Sequence, residues 1–191
     1  MPCSMIHLFA AKKVHPDGST LFYIGNLAPD AVIDWHDKDI VHFRNVEDRQ
    51  SALISLAKDT SGDFAEGILL HLYLDWKWDE IVRQKYIEKT GDDWFIPYRN
   101  ELSLAGSYAF HNTGWAKQLW IDMGTFDINS YGITPCASAD DVKNFVSRNS
   151  KWHNDNTTEP SPSFPPGLID EFTSHIAKEF IDWRLQISLS T

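Results

Sequence analysis

The chain has 191 residues, 42% hydrophobic and 23% charged, which suits one globular domain over 1–191 with enough length to bury a sizeable core. Its formal net charge of −10 disfavours nucleic-acid backbones and anionic membrane surfaces as generic partners, although a bound metal would still create a local positive site for a phosphate ester. With only Cys3 and Cys136 present, a disulfide framework and a thiolate metal cluster are excluded, so any metal site must use His and carboxylates.

The N-terminal run Met-Pro-Cys-Ser-Met-Ile-His lacks a basic start followed by a long apolar stretch, and no segment approaches 18 apolar residues. A cytoplasmic protein without a membrane span is expected. Helical periodicity predicts a short helix over about 4–15, with Ser4 as its N-cap and His7, Ala10, Ala11 and Val14 on one face. A second short helix is expected over 19–25. The segment Gly25-Asn-Leu-Ala-Pro29-Asp30 then reads as a turn, because Pro29 forces Ala28 out of the α region. Residues 31–45 carry Asp34, His36, Asp37, Asp39 and His42 and read as irregular. After a helix near 46–59, Asp63 with Glu66 forms a capping-box signature for a long helix reaching about 89.

Further along, 98–122 reads as one or two helices broken around His111-Asn-Thr-Gly114, and 123–137 as a loop rich in Gly, Asn, Pro and Ser. Ser138-Ala-Asp-Asp141 caps a helix to about 149. A polar, Pro-rich connector is expected over 150–167. The last helix, about 167–187, carries the stripe Leu168, Phe172, Ile176, Phe180, Trp183 and Ile187. No period-2 run competes, so the expected fold is all-α, an irregular bundle of six to eight helices. Eight Trp are most simply explained as core packing.

The sharpest local signal is His71 and Asp75. At about 100° per residue, Phe64, Gly67, Ile68, His71, Leu74, Asp75 and Trp78 share one helical face, so the carboxylate sits in the middle of an apolar stripe. Leaving it ionised and unpaired in a core would cost several kcal/mol, so it must be protonated, salt-bridged or bound to a cation. His and Asp one turn apart can converge on a metal ion, or can simply hydrogen-bond each other or pair with a buried Arg. Upstream, His7, Asp30, His36 and His42 supply further ligands.

Taken in order, His7, then Gly-Asn-Leu-Ala-Pro-Asp30, then Val-His42-Phe, then Gly67-Ile-Leu-Leu-His71-Leu-Tyr-Leu-Asp75 resemble the zinc-dependent phospholipase C family. That family has an all-helical fold shared with single-strand-specific nucleases, and its zinc cluster activates water against phosphate diesters. The resemblance covers about 1–80 by motif and implies one zinc held by Asp30, His42, His71 and Asp75. It implies a second beside it, held by His7 with Asp75 as a bridge. A bridging Asp spans two cations roughly 3.5–4 Å apart, which would also account for a carboxylate in mid-core. On the last helix, His175 and Glu179 are similar to the family's final ligand pair, and Glu179 falls on the edge of the buried arc.

These readings converge on a metal-dependent hydrolase of phosphate esters, with a small phosphate ester or a phospholipid headgroup as ligand. Asp75 would hold the ion and Glu66 or Asp63 would accept a proton, while Arg99 and Tyr98 are candidates to contact phosphate. An aromatic box from Tyr73, Trp76 or Trp78 is a lesser candidate, as are His111 and His153 as loop ligands. Two other readings stay open. In one, His36-Asp37 is similar to the dyad of the HD phosphohydrolases, which are also all-helical; in the other, the chain is a non-catalytic binding protein whose helices a metal staples together.

Overall fold

The structure, a computed structural model, describes residues 2–189. Ten α-helices follow one another in the described chain: α1 Ser4–Val14, α2 Thr20–Gly25, α3 Trp35–Val41, α4 Arg49–Asp59, α5 Asp63–Trp78, α6 Gln84–Thr90, α7 Phe95–Asn112, α8 Ala116–Thr125, α9 Ala139–Asp155 and α10 Pro166–Leu189. Short 3-10 turns cover Ala28–Ala31 and Ile128–Ser130. The described residues contain no strand, only an isolated bridge between Thr134 and Ala137. The fold is therefore all-α, as the periodicity predicts, with more and shorter helices than the six to eight expected.

Helix α5 is the axis of the molecule. Its predicted face is buried, and so are Leu69, Leu70, Leu72 and Tyr73 on its other sides. It packs against α1, α2, α4 and α10, and one hydrophobic cluster runs from Met5 to Ile187. The closest crossing is with α2, where two glycines meet. A Cβ on Gly25 would stand 2.1 Å from the Phe64 carbonyl oxygen, and one on Gly67 would stand 2.2 Å from that of Phe22. Both contacts are with backbone, so only Gly permits this approach.

Several boundaries differ from the expected ones. Residues 31–45 are not irregular, because Asp34 accepts from the amides of His36 and Asp37 and starts α3. Ser4 is not a cap; Cys3 precedes the helix and Ser4 Oγ donates to Asn149 Oδ1. The capping box at Asp63 and Glu66 does not form, since Gly62 with φ 81° opens α5. From there the helix runs through a π turn at Asp79–Arg83 into α6. Ser138 and Asp141 do form a capping box for α9, which continues to Asp155 and shortens the connector. On α10, Leu168 is exposed and Ile169 takes the buried place. No helix among the described residues is long and apolar enough to cross a membrane.

Candidate metal centre

Four separate elements bring titratable side chains against the middle of α5. His7 comes from α1, Asp30 from the 3-10 turn after Pro29, His42 from the end of α3, and His71 with Asp75 from α5 itself. The two helical histidines use faces that the core buries, so packing alone delivers them. His42 needs a special backbone. It caps α3, Phe43 follows at φ 53°, and the amides of Phe43 and Arg44 donate back to the Ile40 and Asp39 carbonyls. This is a Schellman ending with Phe where Gly is usual, a left-handed position that costs a side chain about 1–2 kcal/mol. The reversal follows His42 and precedes Arg44, and both side chains reach Asp75.

His42, His71, His7 and Asp75 are fully buried and Asp30 nearly so. His42 Nδ1 lies 2.7 Å from the Lys38 carbonyl and His71 Nδ1 lies 2.7 Å from the Asn26 carbonyl. A carbonyl only accepts, so each Nδ1 is the protonated nitrogen of its neutral ring and each Nε2 carries a lone pair. Those two Nε2 atoms face each other at 3.1 Å. Around them, His42 Nε2 lies 3.4 Å from Asp75 Oδ2 and 3.8 Å from Asp30 Oδ1, and His7 Nε2 lies 3.4 Å from Asp75 Oδ1. Two ligands about 2.1 Å from a common ion stand about 3.0 Å apart at 90° and about 3.4 Å apart at the tetrahedral angle. The donor spacing fits a metal ion. Two sets, His7 with His71 and Asp75, and Asp30 with His42 and His71, have ligand atoms within 4.8 Å of one another. The rings of His7 and His71 stack at 3.8 Å, and neither nitrogen of His7 has a hydrogen-bond partner among the described residues.

The electrostatics suit ligands in their binding state. Burial dominates at His71 and His42 and holds both below the ordinary imidazole value, against the pull of Asp75 and Asp30. At Asp75 burial pushes upward, but His7, His42 and His71 outweigh it, and its carboxyl lies well below the usual range. Asp30 behaves alike, with Lys38 the main cation overcoming burial. Neutral imidazoles and ionised carboxylates are what a divalent cation requires.

A cationic collar surrounds the group. Arg44 donates to Asp75 Oδ2 at 2.9 Å and to Asp79 Oδ2 at 3.2 Å, and Arg49 and Arg83 also reach Asp79. Lys38 pairs with Asp30 at 3.1 Å. Arg44 is the buried Arg partner that sequence reading left open for Asp75; the rest of the collar it did not foresee. The available signal was Asp79, a second carboxylate one turn beyond Asp75 on the same stripe.

Other expected site residues lie elsewhere. Glu66, about 140° round α5 from His71, is held by Arg184 at 2.9 and 3.0 Å, so it is not poised to accept a proton; Asp63 takes a hydrogen bond from Ser19. Tyr98 is core, accepting from Trp78 Nε1 at 2.6 Å, and Trp78 is fully buried with it. Trp76 and Tyr73 lie under Lys77. His175 and Glu179 face each other at 3.6 Å on α10 and join neither donor set. His36 is exposed on α3 and His111 is bonded to the carbonyls of His153 and Asn156. Arg99 lines a cavity of about 290 Å³ together with Asp30, Lys38 and His153. No family model, curated protein or solved structure matches the chain.

Proposed function

We propose that the centre holds a divalent cation and that the protein is a metal-dependent hydrolase of phosphate esters. The observation that supports this most is the opposition of the His42 and His71 Nε2 lone pairs at 3.1 Å, which repel unless a cation stands between them. A donor set of imidazoles and carboxylates without thiolate suits zinc. Since His71 has a single free lone pair, one ion is assigned to Asp30, His42, His71 and Asp75. His7 with Asp75 Oδ1 offers a second position, in line with the resemblance to zinc-dependent phospholipases C.

Bound there, the cation would lower the pKa of a water towards about 7 and offset charge on phosphoryl oxygens. The side chains do the rest. Lys38 and Arg44 hold the two carboxylates in place, and Arg99 adds positive charge to the cavity that Asp30 lines. The collar's four cations pair with four carboxylates, Asp30, Asp39, Asp75 and Asp79, so an added divalent ion leaves a net positive site that favours an anionic ligand. Full burial of four of the five donors favours a second reading, a closed metal that only staples helices.

Metal analysis of the purified protein, melting curves with and without chelator, and a panel of phosphodiesters and phosphomonoesters test both readings. The hydrolase reading expects stoichiometric metal, a lower Tm after chelation and turnover that is lost with the metal. Metal and stabilisation without turnover select the staple. An unchanged melting curve after verified metal removal overturns both.

A further inference from the structure

His153 is an unexplained feature of the interior. It sits on α9 with 2% of its surface exposed, stacked on Phe110 at 5.2 Å and flanked by Trp120 and Trp152. Neither ring nitrogen has a hydrogen-bond partner among the described residues. Such a group is costly to bury and calls for a partner. The ring lines the same cavity of about 290 Å³ as Asp30, Lys38 and Arg99. Gly106 keeps this corner open, since a Cβ there would stand 3.0 Å from Cys3 Sγ and 3.4 Å from His153 Cε1.

We infer that this cavity binds a phosphorylated polyol, with His153 as the residue that reads its hydroxyl groups. The inference rests on the phosphate-ester reading of the neighbouring centre and names the substrate class. Arg99 is exposed and forms no ion pair among the described residues, so its guanidinium is free for the phosphate. Burial, with His111 adding to it, pushes His153 down to about 4, so the ring is neutral at pH 7. A neutral imidazole offers one donor and one acceptor, the complement of a hydroxyl, which is itself both. Trp152 supplies an apolar wall for the CH face of the polyol, and Ser103 a further polar group. The volume lies at the small end of ligand pockets. It suits a sugar-sized phosphate.

Calorimetric titration of the metal-replete protein with sorbitol 6-phosphate, methyl phosphate and inorganic phosphate is the test. The sorbitol ester is expected to bind about fivefold to tenfold more tightly than methyl phosphate. Arg99→Gln should weaken all three, whereas His153→Phe, which keeps the stack on Phe110, should erase the preference and leave methyl phosphate unchanged. If His153→Phe folds poorly, Ser103→Trp replaces it; filling the cavity from an exposed position, it too should erase the preference. Equal affinities in the wild type, or a preference that survives either variant, overturn the proposal. These titrations read binding, so an absence of metal or turnover sinks the hydrolase while leaving the polyol preference readable.

Discussion

The chain contains the same local pattern twice. His71 and Asp75 on α5 and His175 and Glu179 on α10 are each a histidine with an acid one turn later. On α5 both are fully buried; on α10 the side chains are 61% and 36% exposed. Spacing is common to both, and everything else differs. Around α5, other elements contribute His7, Asp30 and His42, and the carbonyls of Asn26 and Lys38 set which nitrogen of each ring carries the proton. On α10 the pair joins no group of three metal-ligating side chains among the described residues. A site is made by the elements forced against a pattern rather than by the pattern, and mutations can separate the two.

The largest expected effect is at Asp75. Asp75→Asn keeps the shape but leaves Arg44, now bonded to Asp75 Oδ2 at 2.9 Å, facing a neutral group in a buried setting. Removing one member of a buried charge pair costs about 3–5 kcal/mol. Loss of metal should therefore come with a large loss of stability, measured by urea unfolding of metal-free protein. The double variant Asp75→Asn with Arg44→Met sharpens the test, because it should recover much of the stability and none of the metal. Full recovery of metal binding in the double variant would mean that Asp75 is a structural anion and not a ligand.

Next in size is Gly67→Ala. Its Cβ would meet the Phe22 carbonyl oxygen at 2.2 Å, which forces α2 away from α5 and with it Asn26, the acceptor for His71 Nδ1. Overpacking against backbone at this crossing should cost about 3 kcal/mol and weaken metal binding without touching a ligand. The same change at Gly167 on α10, where a Cβ meets nothing within 4 Å, serves as the control. If Gly67→Ala binds metal as the wild type does, the α2 crossing does not orient His71.

How much of this was legible depends on whether the partner was near in sequence. That His7, Asp30, His42, His71 and Asp75 gather in one place agrees with the resemblance drawn from their order, and the buried face of α5 follows from its period. Helix α3 was missed because only Val41 of its residues is buried while Trp35 and Ile40 are exposed, so there is no stripe to see; its signal was the cap at Asp34. Glu66 was misread because its partner, Arg184, comes from α10, 118 residues away. Tyr98 looked like a phosphate contact for being next to Arg99, yet successive helical residues point about 100° apart, and one faces the core while the other lines the cavity. An Arg partner for Asp75 stood among the open readings, but which Arg it would be and the collar around it were not legible, since Arg44 and Arg49 gain their meaning only from Asp75 and Asp79.

A smaller effect is expected with pH. His153 is held near about 4, below its ordinary value of 6.5, so between those values the unfolded chain binds a proton that the folded one refuses. Stability from this residue is fully present above pH 6.5 and is lost as the pH falls towards 4. The share lost between pH 7 and pH 5 is about 2 kcal/mol. Urea unfolding of wild type and His153→Phe across this range isolates the contribution, as every other titratable group is present in both. Parallel curves would show that His153 is not refused its proton by burial.

The smallest effect belongs to the second His and acid pair, and it tests the comparison from the other side. His175 and Glu179 are 3.6 Å apart on the outer part of α10, where an exposed ion pair is worth about 0–1 kcal/mol and is screened by salt. Glu179→Gln should change stability by less than about 0.5 kcal/mol and leave metal content and its affinity as in the wild type. His175 also lines a groove of about 590 Å³ with Phe172 and Tyr86, so His175→Ala removes a wall of that groove without approaching the buried donors. Equilibrium dialysis against zinc with each variant gives the answer. A fall in bound metal in either one would place α10 in the centre after all, and the contrast between the two pairs would have to be abandoned.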